Sequence, residues 1–376
     1  MRLKKIVAAP DSFKGTISAI DICEIIKSTV GEVFPGCEVC ALPAADGGEG
    51  TVESFLYSLK GERVAAPAHG PFMLPLQAEY ALFGDTAVIE MAATAGLPLA
   101  GGTPDPLTAT TYGVGEQIKH AVNRGAKKII LGLGGSATND GGCGCACALG
   151  AEFFAADGNS FVPAGATLKD IARVNLLPLK EALAGITLTA MCDVDNPLYG
   201  ENGAAHVFAP QKGADEEAVI LLDAGLRKLA DVIARETGKD VSQVPGAGAA
   251  GGLGAGVLAF LNGELKPGIE AVLDTADFDD RLEGADLVIT GEGRIDGQSL
   301  RGKVVYGVAR RAKKKGVPVA AIVGDVDDGA YDMYEHGVSS IFSINRKAVP
   351  FSTARLTSAE DYQHTLKDVL RLISSL

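Results

Sequence analysis

The chain has 376 residues, 47% of them hydrophobic and 22% charged, with 48 glycines, no tryptophan and a formal net charge of −13. That length favours two domains, and the composition fits a folded α/β protein rather than a disordered or fibrous one. The acidic balance argues against nucleic acid and anionic membranes as partners.

No apolar run reaches the roughly 20 residues that span a bilayer, and the opening MRLKKIVAAPDSFKG lacks the pattern of a signal peptide. A cytoplasmic location is the expectation.

Taken in chain order, LKKIVAA at 3–9 reads as a buried strand running into the loop Pro10 to Gly15. A helix should start near Ser18, where Ser18 and Asp21 form a capping-box-like pair ahead of the stripe Ile22, Ile25, Ile26, Val30 and Val33. A strand at 37–43 leads into AADGGEG, and a helix from about Thr51 should stop at Gly61.

In the middle, QAEYALFGDTAVIEMA alternates about Gly84-Asp85, the pattern of a two-residue hairpin. A helix at about 108–124, a strand at 127–133 and the glycine-rich GGSATNDGGCG follow. ITLTAMCDV reads as a further strand, and EEAVILLDAGLRKLADVIARETG as a helix.

Near the end, 285–293, 317–325 and 338–344 read as buried strands separated by helical segments, and 358–376 as a closing helix. Two strands from the front and three from the back would complete one doubly wound parallel sheet. The expected architecture is therefore α/β with two domains. Residues 1–65 and 285–376 would form the doubly wound domain, and 66–284 an inserted mixed α/β domain.

Seven cysteines include Cys143, Cys145 and Cys147 in NDGGCGCACALG. No second Cys/His cluster accompanies them, so they read as small packing residues rather than zinc ligands. The five histidines show no HxH or HExxH pattern.

Gly297 to Lys303 satisfies GxxxxGK, but Val304 stands where a P-loop needs Ser or Thr, and the preceding strand ends too early. Lys303 then reads either as a phosphate-facing lysine or as a solvated one at a helix start. Gly132-Leu133-Gly134-Gly135-Ser136-Ala137 matches GxGxxA after a good strand, with Glu152 about 20 residues on. Asn139-Asp140-Gly141-Gly142 prolongs that loop beyond a dinucleotide turn. A nucleotide or phosphate cradle, a dinucleotide site and plain helix–strand packing all remain open there.

Three acidic loops at strand ends, Asp46-Gly47-Gly48-Glu49-Gly50, Cys192-Asp193-Val194-Asp195-Asn196-Pro197 and Gly291-Glu292-Gly293-Arg294-Ile295-Asp296, set carboxylates among glycines. Phosphoryl transfer needs carboxylates for Mg²⁺ and for the hydroxyl proton, and cations for the migrating charge. Lys14, Lys212 and Arg294 stand in suitable loops. For any one acid, a turn or capping role is the alternative.

Taken together these loops resemble the bacterial glycerate kinases of the first type, the glyoxylate- and galactarate-pathway enzymes. The resembling segments are APDSFKGTISA (9–19), ADGGEGT (45–51), IEMAATAGL (89–97), TYGVGEQI (111–118), LGGSATNDGG (133–142), CDVDNPLYGENGAA (192–205), FAPQKGA (208–214), GAAGGLGAG (248–256) and VITGEGRIDGQSLRGK (288–303).

The resemblance implies a flavodoxin-like domain and a second α/β domain around an active-site cleft. It also implies ATP- and Mg²⁺-dependent phosphorylation of glycerate, most plainly to 2-phosphoglycerate. The resemblance fixes no residue roles; from the chemistry of the loops themselves Asp193 is the expected base or hydroxyl-orienting acid, with Lys14 and Arg294 gripping the glycerate carboxylate or the γ-phosphate. Gly134, Gly135, Ser136, Asn139, Gly251, Gly252, Glu292 and Lys303 are expected at the nucleotide, and Asp46, Glu49 and Asp296 at Mg²⁺. The rival readings are an NAD(P)-dependent hydroxy-acid oxidoreductase, resting on the GxGxxA match, and a metabolite sensor without turnover.

Overall fold

A computed structural model describes residues 2–297 and 303–376. By contacts the chain divides into two compact units, one of residues 1–45, 53–60 and 269–376, the other of 46–52 and 61–268.

The first unit is built on five parallel strands. They are Lys5–Pro10, Glu38–Ala41, Leu287–Gly291, Val319–Val323 and Ser340–Ser343. Numbered in chain order they lie 2-1-3-4-5. The interior strands are continuous apolar runs because both faces of a parallel sheet are covered.

Alternate side chains feed two cores. Ile6, Ala8, Ile289 and Ile322 pack with Ile22, Ile26 and Val30 of the helix Ala19–Val33 and with Tyr362, Leu366 and Leu370 of the helix Ser358–Ser375. Val7, Ala9, Val288, Val319 and Val323 pack on the other face with Val305, Val308 and Ala312 of the helix Val304–Lys315. Each such fully buried Ile, Leu or Val contributes about 1.5–3 kcal/mol of burial.

The helix Ala19–Val33 begins as its sequence specifies. Ser18 is its N-cap, in extended conformation, and its hydroxyl accepts the Asp21 N–H at 3.1 Å while donating to the Asp21 carboxylate at 2.7 Å. Ile22, Ile26 and Val30 are fully buried, and Ile25 and Val33 pack at the margin.

The second unit holds a six-stranded mixed sheet. Its parallel part is Glu264–Lys266, Thr187–Met191, Lys128–Gly132 and Thr86–Glu90. Pro75–Phe83 and Glu62–His69 extend it antiparallel. Phe83 pairs with Thr86, so the hairpin loop is Gly84-Asp85, as the alternation predicts.

A small three-stranded sheet of Glu152–Phe154, Ser160–Phe161 and Arg173–Asn175 is a further element without a sequence counterpart above. The long helix Glu216–Thr237 starts at Asp215, which caps the Ala218 N–H at 2.9 Å, and ends at Gly238 with φ +72°. The chain thus has a mixed α/β fold with parallel sheets.

The joins differ from those placed at 65/66 and 284/285. The strand Glu62–His69 runs through the first, and the contacts group 269–284 with the first unit. ERVAAPAH escapes a strand reading because Pro67 interrupts it. Proline is tolerated here because this is the edge strand of its sheet. No described helix is long and apolar enough to cross a membrane.

Replacing Ser18 by Ala removes one N-cap bond and should destabilise the first unit by about 1 kcal/mol. Urea unfolding followed by circular dichroism measures it, and an unshifted midpoint would show that the cap is inert.

Candidate active site

In open α/β sheets ligands bind beyond the carboxyl ends of the strands, where the strand order reverses. In the first unit that point lies between Lys5–Pro10 and Leu287–Gly291. The first strand leads into a tight turn in which Phe13 and Ile17 exchange backbone hydrogen bonds at 2.9 and 3.1 Å. Lys14 is exposed on it.

The third strand ends at Gly291, where a Cβ would lie 1.8 Å from the Ile322 carbonyl oxygen, so only glycine fits. Glu292 follows, buried, and a Cβ on Gly293 would come to 3.4 Å from Phe13 Cα, so the two loops run side by side. Arg294 is exposed and donates to Asp327 at 2.5 Å, a pairing that raises the guanidinium pKa and lowers that of the carboxylate. Lys303 lies 3.7 Å from Asp296 and precedes the first turn of Val304–Lys315. Residues 298–302 of the GxxxxGK segment lie outside the described residues.

The second unit assembles its loops backbone to backbone. Gly134 N–H donates to the Gly47 carbonyl at 2.9 Å, and a Cβ on Gly134 would sit 2.5 Å from Gly48 Cα. The loop bearing Asp46 and Glu49 is thereby laid directly on the glycine loop 132–142. Asp46 and Glu49 are exposed, and Asp46 Oδ1 accepts the Gly48 N–H at 3.0 Å.

On another side Leu97 N–H donates to Gly135 O and Ala137 N–H to Ala95 O, which joins the IEMAATAGL segment to the same loop. From a third direction comes 248–252. Ala250, Gly251 and Gly252 are successive left-handed residues, with φ of 53°, 66° and 89°. A Cβ on Gly251 would lie 2.0 Å from Thr138 O, and Gly141 N–H donates to Gly251 O at 3.0 Å. Asp193 is exposed on the loop after Thr187–Met191, and its Oδ1 accepts the Gly268 N–H at 2.7 Å. Asn196 O in turn accepts from Gly248 N at 3.0 Å. So Asp46, Glu49, Gly134, Gly135, Ser136, Asn139, Asp193, Gly251 and Gly252 stand on mutually packed loops.

Two charged groups lie beneath the glycine loop. Asp140 is fully buried and accepts from Thr111 N (2.7 Å), Thr111 Oγ1 (2.9 Å), Gly142 N (3.0 Å) and Gly144 N (3.2 Å). Burial pushes its pKa up, and those donors oppose the rise. Thr111 Oγ1 also accepts the Cys145 N–H at 2.9 Å, so the helix Cys143–Ala148 spends its first amides inside the protein.

Lys212 is 1% exposed. Its ammonium donates to Ser136 Oγ and Thr138 O, both at 2.7 Å. Desolvation lowers its pKa to about 7, against the field of Asp140.

Lys212 was named above only as an available loop cation, and Asp140 only as part of a longer loop. Nothing local marks either as interior. Lys212 is buried because Pro210–Lys212 forms a 3₁₀ turn closed by Gly213 at φ +95°, against the Pro104 carbonyl.

Cys143 and Cys145 are buried core residues, and burial raises both thiol pKa values, as it raises that of Cys147 to about 12. Among the described residues no group of three or more His, Cys, Asp or Glu is placed to hold a metal ion.

A parallel-sheet unit with charged loops at its switch point, and a glycine loop seated on an interior lysine, define a class of phosphate-handling α/β enzymes. Comparison narrows the class. The model of the glycerate kinase family matches residues 6–374. The chain is 45% identical over 368 residues to a glycerate kinase of Bacillus cereus, covering 97% of each protein. It is 44% identical over 343 residues to the glycerate 2-kinase of Escherichia coli, covering 90% of each. A crystal structure ascribed to glycerate kinase 2 of Salmonella typhimurium LT2 superposes with a TM-score of 0.88 at 40% identity, covering 100% of this chain and 99% of that one. The chain belongs to the glycerate kinase family. It is a kinase, which sets aside the oxidoreductase and sensor readings.

The Lys212 pKa gives a signed prediction. With a folded value of about 7 against 10.5 unfolded, the unfolded chain binds more protons between those pH values, so this residue favours folding increasingly as pH rises through the window. Relative to Lys212→Met, the wild type should gain a few kcal/mol between pH 7 and 10. Denaturant titrations at both pH values measure it. A constant gap would mean that Lys212 titrates normally.

Proposed function

We propose that the chain transfers the γ-phosphoryl group of ATP to the 2-hydroxyl of D-glycerate, with Mg²⁺, giving 2-phosphoglycerate. The observation that carries this reading is the glycine loop 132–142, laid on a buried ammonium in a chain whose net charge is −13. Such a chain needs local positive potential to hold a polyphosphate beside a carboxylic acid. The Escherichia coli relative, named a glycerate 2-kinase, supports the choice of hydroxyl. The same reading takes the architecture as a flavodoxin-like domain built from both chain ends, with a mixed α/β domain inserted, in a cytoplasmic enzyme.

Gly134, Gly135, Ser136 and Asn139, with Gly251 and Gly252, are the proposed cradle for the nucleotide phosphates. Glu292 and Lys303 are further residues proposed to bind the nucleotide. Mg²⁺ keeps several waters and needs only one or two protein carboxylates beside the phosphates. Asp46, Glu49 and Asp296 are the residues that would hold it. When bound, the ion neutralises charge on the migrating phosphoryl group.

Lys14 and Arg294 would bind the glycerate carboxylate or the γ-phosphate. For Arg294 this means exchanging one carboxylate, that of Asp327, for another of the same geometry. Asp193 would accept the proton of the attacking hydroxyl. The Gly268 N–H, donated to Asp193 Oδ1 at 2.7 Å, anchors that carboxylate to the backbone.

Incubation with ATP, Mg²⁺ and D-glycerate, followed by enolase without a mutase, should yield phosphoenolpyruvate directly. ADP without phosphoenolpyruvate would place the transfer on the other hydroxyl, and neither product would reject the reaction. Asp193→Asn should lower kcat about 100-fold or more. Near-normal kcat in steady-state assays would remove Asp193 from proton transfer.

A further inference from the structure

The amides at the start of Cys143–Ala148 are not open to a ligand. Gly142 and Gly144 N–H donate to Asp140, and Cys145 N–H to Thr111. The start of this helix therefore offers an anion little, and the buried Asp140 carboxylate sits there. Positive charge has to come from elsewhere, and Lys212 supplies it at the loop itself.

Ser136 is only half-buried and Gly135 is exposed, so the rim of the loop faces outward above the ammonium. Below the rim, Asn139 is fully buried with both side-chain amide atoms lacking a hydrogen-bond partner among the described residues, as does Thr138 Oγ1. Buried unpaired polar atoms call for a partner, and three in consecutive residues mark a place built for one.

We propose that Lys212 is a positioning residue for phosphate: tied to Ser136 and Thr138, its ammonium holds the glycine loop in its anion-accepting shape and supplies the charge that retains a nucleotide phosphate there. The proposal rests on the reading of loop 132–142 as the nucleotide cradle.

Three of its features follow from the geometry. An ammonium has three donors, and two are used on the loop. An anion on Ser136 Oγ would lie within about two hydrogen-bond lengths of Nζ, too close for solvent to screen through a buried side chain. The one charged group acting on Lys212 among the described residues is Asp140, from the same loop, while Ser136 and Thr138 present neutral oxygens. A bound phosphate would favour the protonated lysine, so by reciprocity nucleotide is held better when Lys212 is protonated and loses affinity as pH rises.

Steady-state kinetics of wild type and Lys212→Met, varying ATP and D-glycerate separately between pH 6.5 and 9, test this. Lys212→Met should raise the ATP KM about 10- to 100-fold while the glycerate KM moves less than about threefold. The wild-type ATP KM should climb above pH 7, and the variant's should stay flat. An unchanged ATP KM, or an equal climb in both proteins, overturns the proposal.

Gly135→Val separates the two levels. If it raises the ATP KM while Lys212→Met does not, the cradle stands and the lysine's role falls. If both variants raise only the glycerate KM, the loop serves the acid and both readings fall. Should Lys212→Met lack native circular dichroism, Ser136→Ala cuts one tether and leaves the lysine. A rise of about threefold or more in ATP KM then supports the role, and no rise rejects it.

Discussion

Close approach of bare backbone is the constraint on which the second unit depends. Loop 132–142 touches 46–50 through Gly134 and 248–252 through Gly251, at separations no side chain would permit. Hydrogen bonds between the main chains then fix the relative placement of segments far apart in sequence, Gly134 to Gly47 and Gly141 to Gly251. Functional groups carried on these loops inherit that rigidity. Precision in such a site comes from what the glycines leave out.

The glycine seams also explain the strain at Ala250. A non-glycine residue at φ +53° costs about 1 kcal/mol, and it persists only where the surroundings over-determine it. Here the left-handed run turns the backbone under Thr138 before the helix proper begins. The first unit achieves comparable order by ordinary means. Its sheet is sealed on both faces by amphipathic helices, and Gly291 lets the third strand end against its neighbour.

What the sequence disclosed follows the same division. The parallel sheet was legible because IVAA, LVIT and VAAIV are uninterrupted apolar runs bounded by glycine loops, and Ser18 announced its helix by chemistry alone. The segment 249–259 was legible only as glycine-rich. After the left-handed turn at 250–252 it is a helix of almost wholly buried small and apolar residues, so it shows no polar face and no period to read. The edge strand at 62–69 was hidden by Pro67. Lys212 and Asp140 could not be ranked from sequence, because their weight lies in burial that neighbours distant in the chain impose. Nothing in PQKG or TNDG says that the charge faces inward.

The cysteine-rich helix Cys143–Ala148 has a further chemical consequence. Nucleophilic sulfur is thiolate, and here burial and the nearby Asp140 carboxylate both hold the protons on. Three thiols close to the glycine loop are therefore poor targets for peroxide and alkylating reagents, and they fill space as compact, polarisable hydrophobes. This run should therefore not itself make the enzyme sensitive to oxidants.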